Sequence, residues 1–543
     1  MTNHLVTEQD IRISYSPLRD DIVFEQGVRV KMRDGVHLSV NVFRPRGEGR
    51  FPVIMAVSPY GKDQFLQNEV FRQVPGVHLG QISISDHTAF EAPDPNYWVS
   101  LGYVVVQGDV RGQGQSEGDT GPFHLQDRLD YYDLIEWAAV QPWSSGRVGL
   151  NGVSYLCISQ WGVAAMQPPH LSAVVLWEGW NDFYRRFYKG GIPETTFMWW
   201  LWDAWIKANH NPASGYIEPD YLVNAAAHPL LDEYWKSFET NLADIKAPAL
   251  VCASFSDQGL HTRDTFEGFK KIGSSEKWLV NHRRPKWDAY YAPEGLELQR
   301  RFLDYYLKGE GTGLADLAPV TLEVNKTRTD FEVITRKAWP PEDTVATTLY
   351  LDLEAAELVA ERPKAAAKRS YDSQAGVGLQ LDYKIDKRLM IVGGAKVRLW
   401  VSPEATDDLD LFVALQKIDA DGDQVFFYGF GGTNPNDVVA RGWLRASHRE
   451  LDQNASTELQ PVHKHERQLK LTPSETVPVD IEILPSGTIF EPGETLRLII
   501  QGRPIEPDAG LLGYRNLINS GQHHVHGGGT FDSCLVLPVL KLS

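Results

Sequence analysis

Six apolar runs in the first half of the chain constrain the fold more than any other feature. They are Phe51–Val57, Leu101–Val106, Val148–Leu150, Leu171–Trp177, Ala249–Ala253 and Lys277–Val280. Short runs without polar alternation read as strands buried on both faces. A sheet buries both faces when crossover helices cover it, and such crossovers make the strands parallel. A helical pattern over Asp127–Val140, with Leu129, Leu134, Ile135 and Ala138 apolar, separates the second run from the third, and good helix formers over Tyr155–Ala165 follow the third. This rhythm predicts a parallel sheet with crossovers. Upstream, Phe24, Val28, Val30 and Met32, a turn at Asp34-Gly35, then Val36, Leu38, Val40 and Val42 read as a β-hairpin.

The third run leads into Asn151-Gly152-Val153-Ser154-Tyr155-Leu156-Cys157. Gly152 permits a sharp turn, which would hold Ser154 out of the sheet with its Oγ exposed. The N-terminus of the following helix would stabilise negative charge there. The nucleophile-elbow pattern G-x-S-x-G is half met, because Leu156 stands at the second glycine. An ordinary strand-turn-helix fits the same residues, so the rest of the chain must decide. An acyl-transfer serine needs a base within hydrogen-bond reach and a carboxylate to orient that base. Open α/β sheets carry their ligands at the C-terminal ends of the strands, and hydrolases built on them use the order serine, acid, histidine. The run ending at Ala253 delivers Asp257, and the run ending at Val280 delivers His282. The expected set is therefore Ser154 as nucleophile, Asp257 as acid and His282 as base.

Rivals remain. Asp264 falls inside the following helix, where a surface position is expected. Glu178 and Asp182 follow a strand and either face the pocket, stay solvated or pair with Arg185 or Arg186. His261, close to Asp257, is a rival base. The Tyr155 amide is the natural first oxyanion donor, and Tyr60, in the loop Ser58–Lys62, is placed to be the second. A buried turn tyrosine is the other reading of Tyr60.

Residues 177–240 are unusually aromatic and read as helical: an insertion that is either a core helix pair or a cap lining an apolar pocket. Trp177, Glu178, Trp180, Asp182, Trp199 and Trp200 are its candidate pocket residues. After a linker at Lys308–Gly313, strand signals dominate. Val397, Leu399 and Val401 alternate, Asp421-Gly422 marks a hairpin between Leu411–Ile418 and Val425–Tyr428, and Pro492-Gly493 precedes Leu496–Ile500. Short strands with glycine turns imply an antiparallel sandwich of jelly-roll type.

The formal net charge of −18 disfavours nucleic acid and anionic membranes as partners. Three widely spaced cysteines suit a reducing compartment, and neither a leader nor a membrane-length apolar run is seen, so a cytoplasmic protein is expected. Nothing excludes a homodimer. Asp419–Asp423 hints at a calcium loop, but its glycine comes too early and position 430 is Phe430. His523-His524-Val525-His526 has no acidic or cysteine ligand at metal spacing, so no metal is expected.

Ser58-Pro59-Tyr60-Gly61-Lys62, Asp109 to Gly118 (DVRGQGQSEG), Gln141 to Gly149 (QPWSSGRVG) and Gly152-Val153-Ser154-Tyr155 together resemble the cocaine esterase / X-Pro dipeptidyl-peptidase family, the CocE/NonD hydrolases. Gly442 to Arg449 and Leu535 to Val539 resemble its C-terminal motifs. The resemblance implies an α/β-hydrolase core (1–176 and 244–310) with an inserted helical cap (177–243) and an all-β jelly-roll domain (318–543). It implies hydrolysis of a small-molecule ester or amide through an acyl-serine, without a cofactor. Carried over, Ser154, Asp257 and His282 form the triad, and Tyr60 and the Tyr155 amide the oxyanion hole. The chain departs from the family at Cys157, where glycine is usual, and in the flanks of Asp257 and His282, which puts the substrate class in doubt. The leading expectation is a serine carboxylesterase for a bulky apolar or aromatic group. An X-Pro dipeptidyl-peptidase or α-amino-acid ester hydrolase is the alternative; it needs carboxylates for a substrate ammonium, for which Glu178 and Asp182 are the candidates. A binding protein with a vestigial triad is the third reading.

Overall fold

The computed structural model describes residues 12–65, 81–119, 123–214, 221–429, 436–505 and 513–541. The N-terminal stretch and Phe430 lie outside them. Ten strands form the central sheet: β1 (Ile22–Lys31), β2 (His37–Pro45), β3 (Phe51–Ser58), β4 (Val104–Asp109), β5 (Ser144–Val153), β6 (Leu171–Trp177), β7 (Ala249–Ser254), β8 (Lys277–His282), β9 (Val320–Asn325) and β10 (Phe331–Arg336). Their spatial order is β1-β2-β4-β3-β5-β6-β7-β8-β9-β10. The hairpin β1–β2 is antiparallel, with Val28 opposite Val40 and Val30 opposite Leu38. From β4 to β9 every pairing is parallel. This is the sheet of an α/β-hydrolase, and all six residues of β4 and of β7 are buried, as their unbroken apolar runs require.

Helices Leu125–Ala139 and Tyr155–Ala165 follow β4 and β5. The first buries Tyr131, Leu134, Ile135 and Ala138; the second is apolar almost all round and buries nine of its eleven residues. Among the described residues between β6 and β7 the chain is helical in short pieces, including Phe183–Phe187, Phe197–Leu201 continuing to Lys207, Tyr221–Ala227 and Glu233–Lys236. Aromatic stacking holds them together, for example Tyr184 on Tyr188 (5.2 Å) and Phe183 on Phe238 (5.0 Å). No helix among the described residues is long and apolar enough to cross a membrane.

From Thr344 onward antiparallel strands wrap a separate apolar core that includes Leu351, Val397, Leu399, Leu411, Ile483, Leu498 and Leu535. Leu389–Pro403 pairs with Val477–Phe490, Gln522–Gly527 and Cys534–Leu540, and Asp410–Ile418 with Ala440–Arg445 and Thr495–Gln501. This β-domain grips the loop after β7. Gln258 donates to the Val439 carbonyl (2.9 Å) and accepts from the Arg441 amide (3.0 Å), and Gly487 lies flat against Phe255 because a Cβ there would stand 2.4 Å from its ring. Among the described residues no group of three or more His, Cys, Asp or Glu is placed to hold a metal ion. His523, His524 and His526 instead bond the hydroxyls of Tyr371 (3.1 Å), Ser370 (2.7 Å) and Ser402 (2.9 Å).

Candidate active site

Ser154 connects β5 to its helix with φ 59° and ψ −117°. That conformation is strained for a residue with a Cβ, and strain of this kind persists where the surroundings over-determine it. Here the Ser154 amide is held by the carbonyls of Trp177 (3.1 Å) and Glu178 (3.0 Å), and its carbonyl starts the helix by accepting from Cys157 and Ile158. The two departures from the elbow pattern have packing reasons. Leu156 lies across Gly152, where an added Cβ would come within 2.5 Å of the Leu156 Cβ. The Cys157 thiol takes the space that Gly179 leaves open: a Cβ at 179 would stand 2.7 Å from Sγ.

The Tyr60 hydroxyl lies against the Ser154 hydroxyl and the Tyr155 amide. Its loop leaves β3 and is pinned to the end of β4, because the Lys62 amide donates to Asp109 Oδ1 (2.6 Å). Burial and the neighbouring Glu91 push the Tyr60 phenol well above its ordinary value, so it stays a donor. Its ring meets Phe90 (5.0 Å) and Trp205 (5.1 Å).

The imidazole on Ser154 is His261, not His282. His261 Nε2 lies 3.1 Å from Ser154 Oγ. His261 precedes the helix Thr262–Lys271, its amide bonded to the Asp257 carbonyl (3.1 Å) and its ring stacked on Trp180 (5.3 Å). Its Nδ1 has no hydrogen-bond partner among the described residues. Burial, then the charges of Lys286, Arg186 and Lys189, hold it well below the ordinary histidine value, so it is neutral at pH 7. His282 ends β8 one layer away, with Nε2 2.7 Å from Glu178 Oε1. Glu178 also accepts from Ser254 Oγ (2.6 Å). Burial opposes its charge, but His282, Lys286 and the Ser254 hydroxyl together keep Glu178 below the usual carboxylate range.

Asp257 is paired with Lys286, whose Nζ is 3.5 Å from Oδ2, rather than with a histidine. Burial, opposed by Lys286 and reinforced by Glu178, raises Asp257 to about 7. Sequence reasoning missed both Lys286 and Glu91. Glu91 has a positive φ of 63°, is buried, and receives Trp287 Nε1–H at 2.8 Å. Its carbonyl accepts from the Val153 amide (3.1 Å), and its carboxyl faces the Ser154 hydroxyl. Burial raises it to about 8, with Lys286 the main opposing charge. A strained, non-glycine turn residue gives no sequence signal. Lys286 had one: it opens the helix Lys286–Tyr291, which begins shortly after the strand end where the base was sought.

The pocket candidates divide. Trp180 stacks on His261 and, with Phe123, Tyr155, Phe183 and Phe238, lines an aromatic hollow beside the helix that follows Ser154. Trp177 is packed in the sheet against Tyr290 (5.2 Å) and His282 (5.7 Å). Trp199 is 50% exposed, and Trp200 is half-buried against Trp205. Asp182 caps the helix Phe183–Phe187 and pairs with Arg185 (2.6 Å). Asp264 is buried, contrary to the expected surface position, because the Asn181 side chain donates to its carbonyl (2.7 Å) and Arg263 lies on its carboxylate (3.3 Å).

Residues 34–284 match the sequence profile of the X-Pro dipeptidyl-peptidase (S15) family, and residues 312–536 that of the X-Pro dipeptidyl-peptidase C-terminal non-catalytic domain. A solved CocE/NonD family hydrolase from Staphylococcus aureus is 42% identical, with a TM-score of 0.90 over 96% of this chain and 94% of that one. Cocaine esterase from Rhodococcus sp. (strain MB1 Bresler) is 27% identical over 60% of this chain, and the match spans 61% of that enzyme's length. An α-amino acid ester hydrolase structure, 16% identical, shares the fold at a TM-score of 0.73 over 96% of this chain and 97% of that one.

Proposed function

This chain belongs to the CocE/NonD family of serine hydrolases, and within it we propose that it cleaves a carboxylic ester bearing a bulky apolar or aromatic group, with Ser154 as nucleophile and His261 as base. One observation carries the assignment: Ser154 Oγ, on its strained elbow, meets the neutral His261 Nε2 at 3.1 Å. His261 takes the serine proton as Oγ attacks the ester carbonyl. The Tyr155 amide and the Tyr60 hydroxyl receive the developing oxyanion, each such donor lowering the barrier by roughly 3 kcal/mol. His261 then protonates the departing alcohol, and water, activated by the same imidazole, releases the acid.

The sequence assigned the base to His282. The geometry favours His261, with His282 and Glu178 as a buried pair under the site and Asp257 held by Lys286. The aromatic cavity beside Tyr155 and Trp180 supports a bulky acyl or alcohol group. Glu178 and Asp182, the carboxylates first considered for a substrate ammonium, are engaged by His282 and by Arg185, which favours a neutral ester over an amino-terminal dipeptide. The test is hydrolysis of 4-nitrophenyl butyrate and benzoate and of an X-Pro 4-nitroanilide by wild type and Ser154→Ala. Ester turnover lost in the variant supports the reading. Turnover of the anilide alone refutes it.

A further inference from the structure

The turn that carries His261 is tied to the β-domain on either side of the imidazole. Gln258, 2% exposed, lies shortly before it in the chain. Its Nε2 donates to the Val439 carbonyl (2.9 Å) and its Oε1 accepts from the Arg441 amide (3.0 Å). A primary amide carries the donor and acceptor of one peptide unit, so Gln258 meets the start of the strand Ala440–Arg445 much as a neighbouring strand would. That strand is itself paired with Asp410–Ile418, Ala440 opposite Leu415, which makes it a rigid reference. Just after His261, Arg263 Nε donates to Glu482 Oε2 (2.9 Å) in the strand Val477–Phe490.

The α/β core holds the loop as far as Asp257. The Phe255 amide donates to the His282 carbonyl (3.1 Å), Ser256 Oγ to the Arg284 carbonyl (2.6 Å), and Lys286 Nζ lies 3.5 Å from Asp257 Oδ2. From Gln258 to His261, the hydrogen bonds that the loop's own side chains make among the described residues are those of Gln258 to the β-domain and that of His261 to Ser154. The amides of Leu260, His261 and Thr262 converge on the Asp257 carbonyl at 3.2, 3.1 and 3.2 Å. That carbonyl belongs to the peptide unit that leads into Gln258. Fixing the Gln258 side chain therefore fixes the peptide plane on which the turn is built, and with it the reach of the imidazole. Stacking on Trp180 restrains the tilt of the ring more than its advance toward Ser154.

We propose that Gln258 is a positioning residue for the base: its two bonds to the β-domain hold the turn where His261 Nε2 meets Ser154 Oγ at 3.1 Å. Gln258 acts through His261, so this role rests on that residue being the base. Proton transfer requires hydrogen-bond reach, and a misplacement of about 1 Å costs up to ~10²-fold in rate. The residue serves the base and not a substrate contact, so its loss falls on kcat and leaves KM.

A double-mutant cycle on the full-length protein tests this with 4-nitrophenyl butyrate, each rate scaled to folded protein: Gln258→Leu, His261→Ala and the two together. Gln258→Leu keeps the side-chain bulk and removes both bonds. Its kcat should fall roughly 10–10²-fold with KM little changed, and added imidazole should restore part of the loss. In the His261→Ala background the same change should have no further effect on kcat, since a base that is absent cannot be displaced. Gln258→Asn, one methylene shorter with the amide retained, reaches the strand only by drawing the turn toward it. Its kcat should fall too while its melting temperature stays closer to wild type, which keeps the test open if the leucine variant does not fold. Equal kcat in wild type and the folded Gln258 variants overturns the proposal and, beside an inactive His261→Ala, leaves the base assignment standing. A Gln258→Leu loss that recurs in full in the double mutant overturns it as well, because the loss then does not pass through the imidazole. Near-wild-type activity in His261→Ala removes the base assignment and this role with it.

Discussion

Replacing the two histidines one at a time separates the roles that the geometry assigns to them. His261→Ala removes the group 3.1 Å from Ser154 Oγ. A positioned base contributes roughly 10²–10⁴ in rate, so kcat/KM should fall about 10³-fold, near 4 kcal/mol of barrier. The stability change should be smaller than the activity change, because the ring's named contacts are the serine and the Trp180 face. His282→Ala should do the reverse. It strips Glu178, whose side chain is fully buried, of the partner at 2.7 Å, and breaking a buried pair costs roughly 3–5 kcal/mol. Glu178 has a depressed pKa in the folded state. Its contribution is therefore present above the unfolded carboxylate pKa and is lost as pH falls through the folded value, so the two proteins should converge in stability at acid pH. The assays are 4-nitrophenyl butyrate kinetics at pH 7.5, scaled to folded protein, with and without added imidazole, and urea unfolding at pH 7.5 and at about pH 3, below the usual carboxylate range. Imidazole should restore part of the activity of His261→Ala. A folded His282→Ala that has lost 10³-fold, beside a His261→Ala within about tenfold of wild type, would refute the base assignment and return it to His282.

Other consequences can be checked with the same substrates. Tyr60→Phe should lower kcat about 10²-fold with little change in KM, as loss of one oxyanion donor does; an unchanged kcat would leave the Tyr155 amide to act without it. Glu91 is raised to about 8 in the folded protein, so it destabilises increasingly as pH rises from the unfolded carboxyl pKa through 8. Glu91→Gln should therefore raise the melting temperature at pH 8–9 more than at pH 4, and should flatten any loss of kcat above pH 8; equal shifts at both pH values would show that its ionisation is not what matters. Lys286→Met removes the strongest positive charge acting on His261, so the acid limb of kcat/KM should move to higher pH, and an unmoved limb would exclude that coupling. Gly152→Ala would place a Cβ 2.5 Å from Leu156 at a φ of +152°, and should abolish folding or activity; a fully active variant would mean that the elbow is built differently.

The core was legible because burial on both faces leaves a plain mark. An unbroken apolar run such as Val104 to Val106 or Ala249 to Ala253 has few alternatives to a central strand, and the strands extend only a few residues beyond those runs. The hairpin at Asp34-Gly35 and the antiparallel C-terminal strands followed from period-two alternation in the same way. Asp264 was misjudged because a carboxylate in a helix reads as solvated. What buries it is the chain around Asn181, far away in sequence, together with the guanidinium of its own neighbour Arg263. The cap was legible as an aromatic insertion but not as the direction of each ring, so Trp199 and Trp180 looked equivalent although one is exposed and the other stacks on His261.

On the proposed His261 assignment, order along the chain is a weaker guide than position in space. Asp257 and His282 have the right residue types at the ends of adjacent strands, and β7 and β8 do bring Ser254 opposite His282 in register. Adjacency at the strand ends is the difficulty: it puts His282 in the layer of Ser254 and Glu178, where the carboxylate that follows β6 captures it. A side chain that is to reach an elbow serine must come from a loop that rises beyond the strand end. Two loops do so here. The one after β7 delivers His261 to Ser154, and the one after β8 delivers Lys286 to Asp257. Lys286 Nζ thus lies on the Asp257 carboxylate in the place where an imidazole would link that acid to the serine. With His261 as the proposed base, base and acid are uncoupled. His261 is left without a carboxylate on Nδ1, and burial together with the surrounding positive charge keeps it neutral and available as an acceptor. The same field disfavours the imidazolium that follows proton transfer. On the proposed mechanism the compensating negative charge comes from the reacting ester's own oxyanion or from Asp257 as it ionises near neutral pH, and the second source makes activity rise through pH 7.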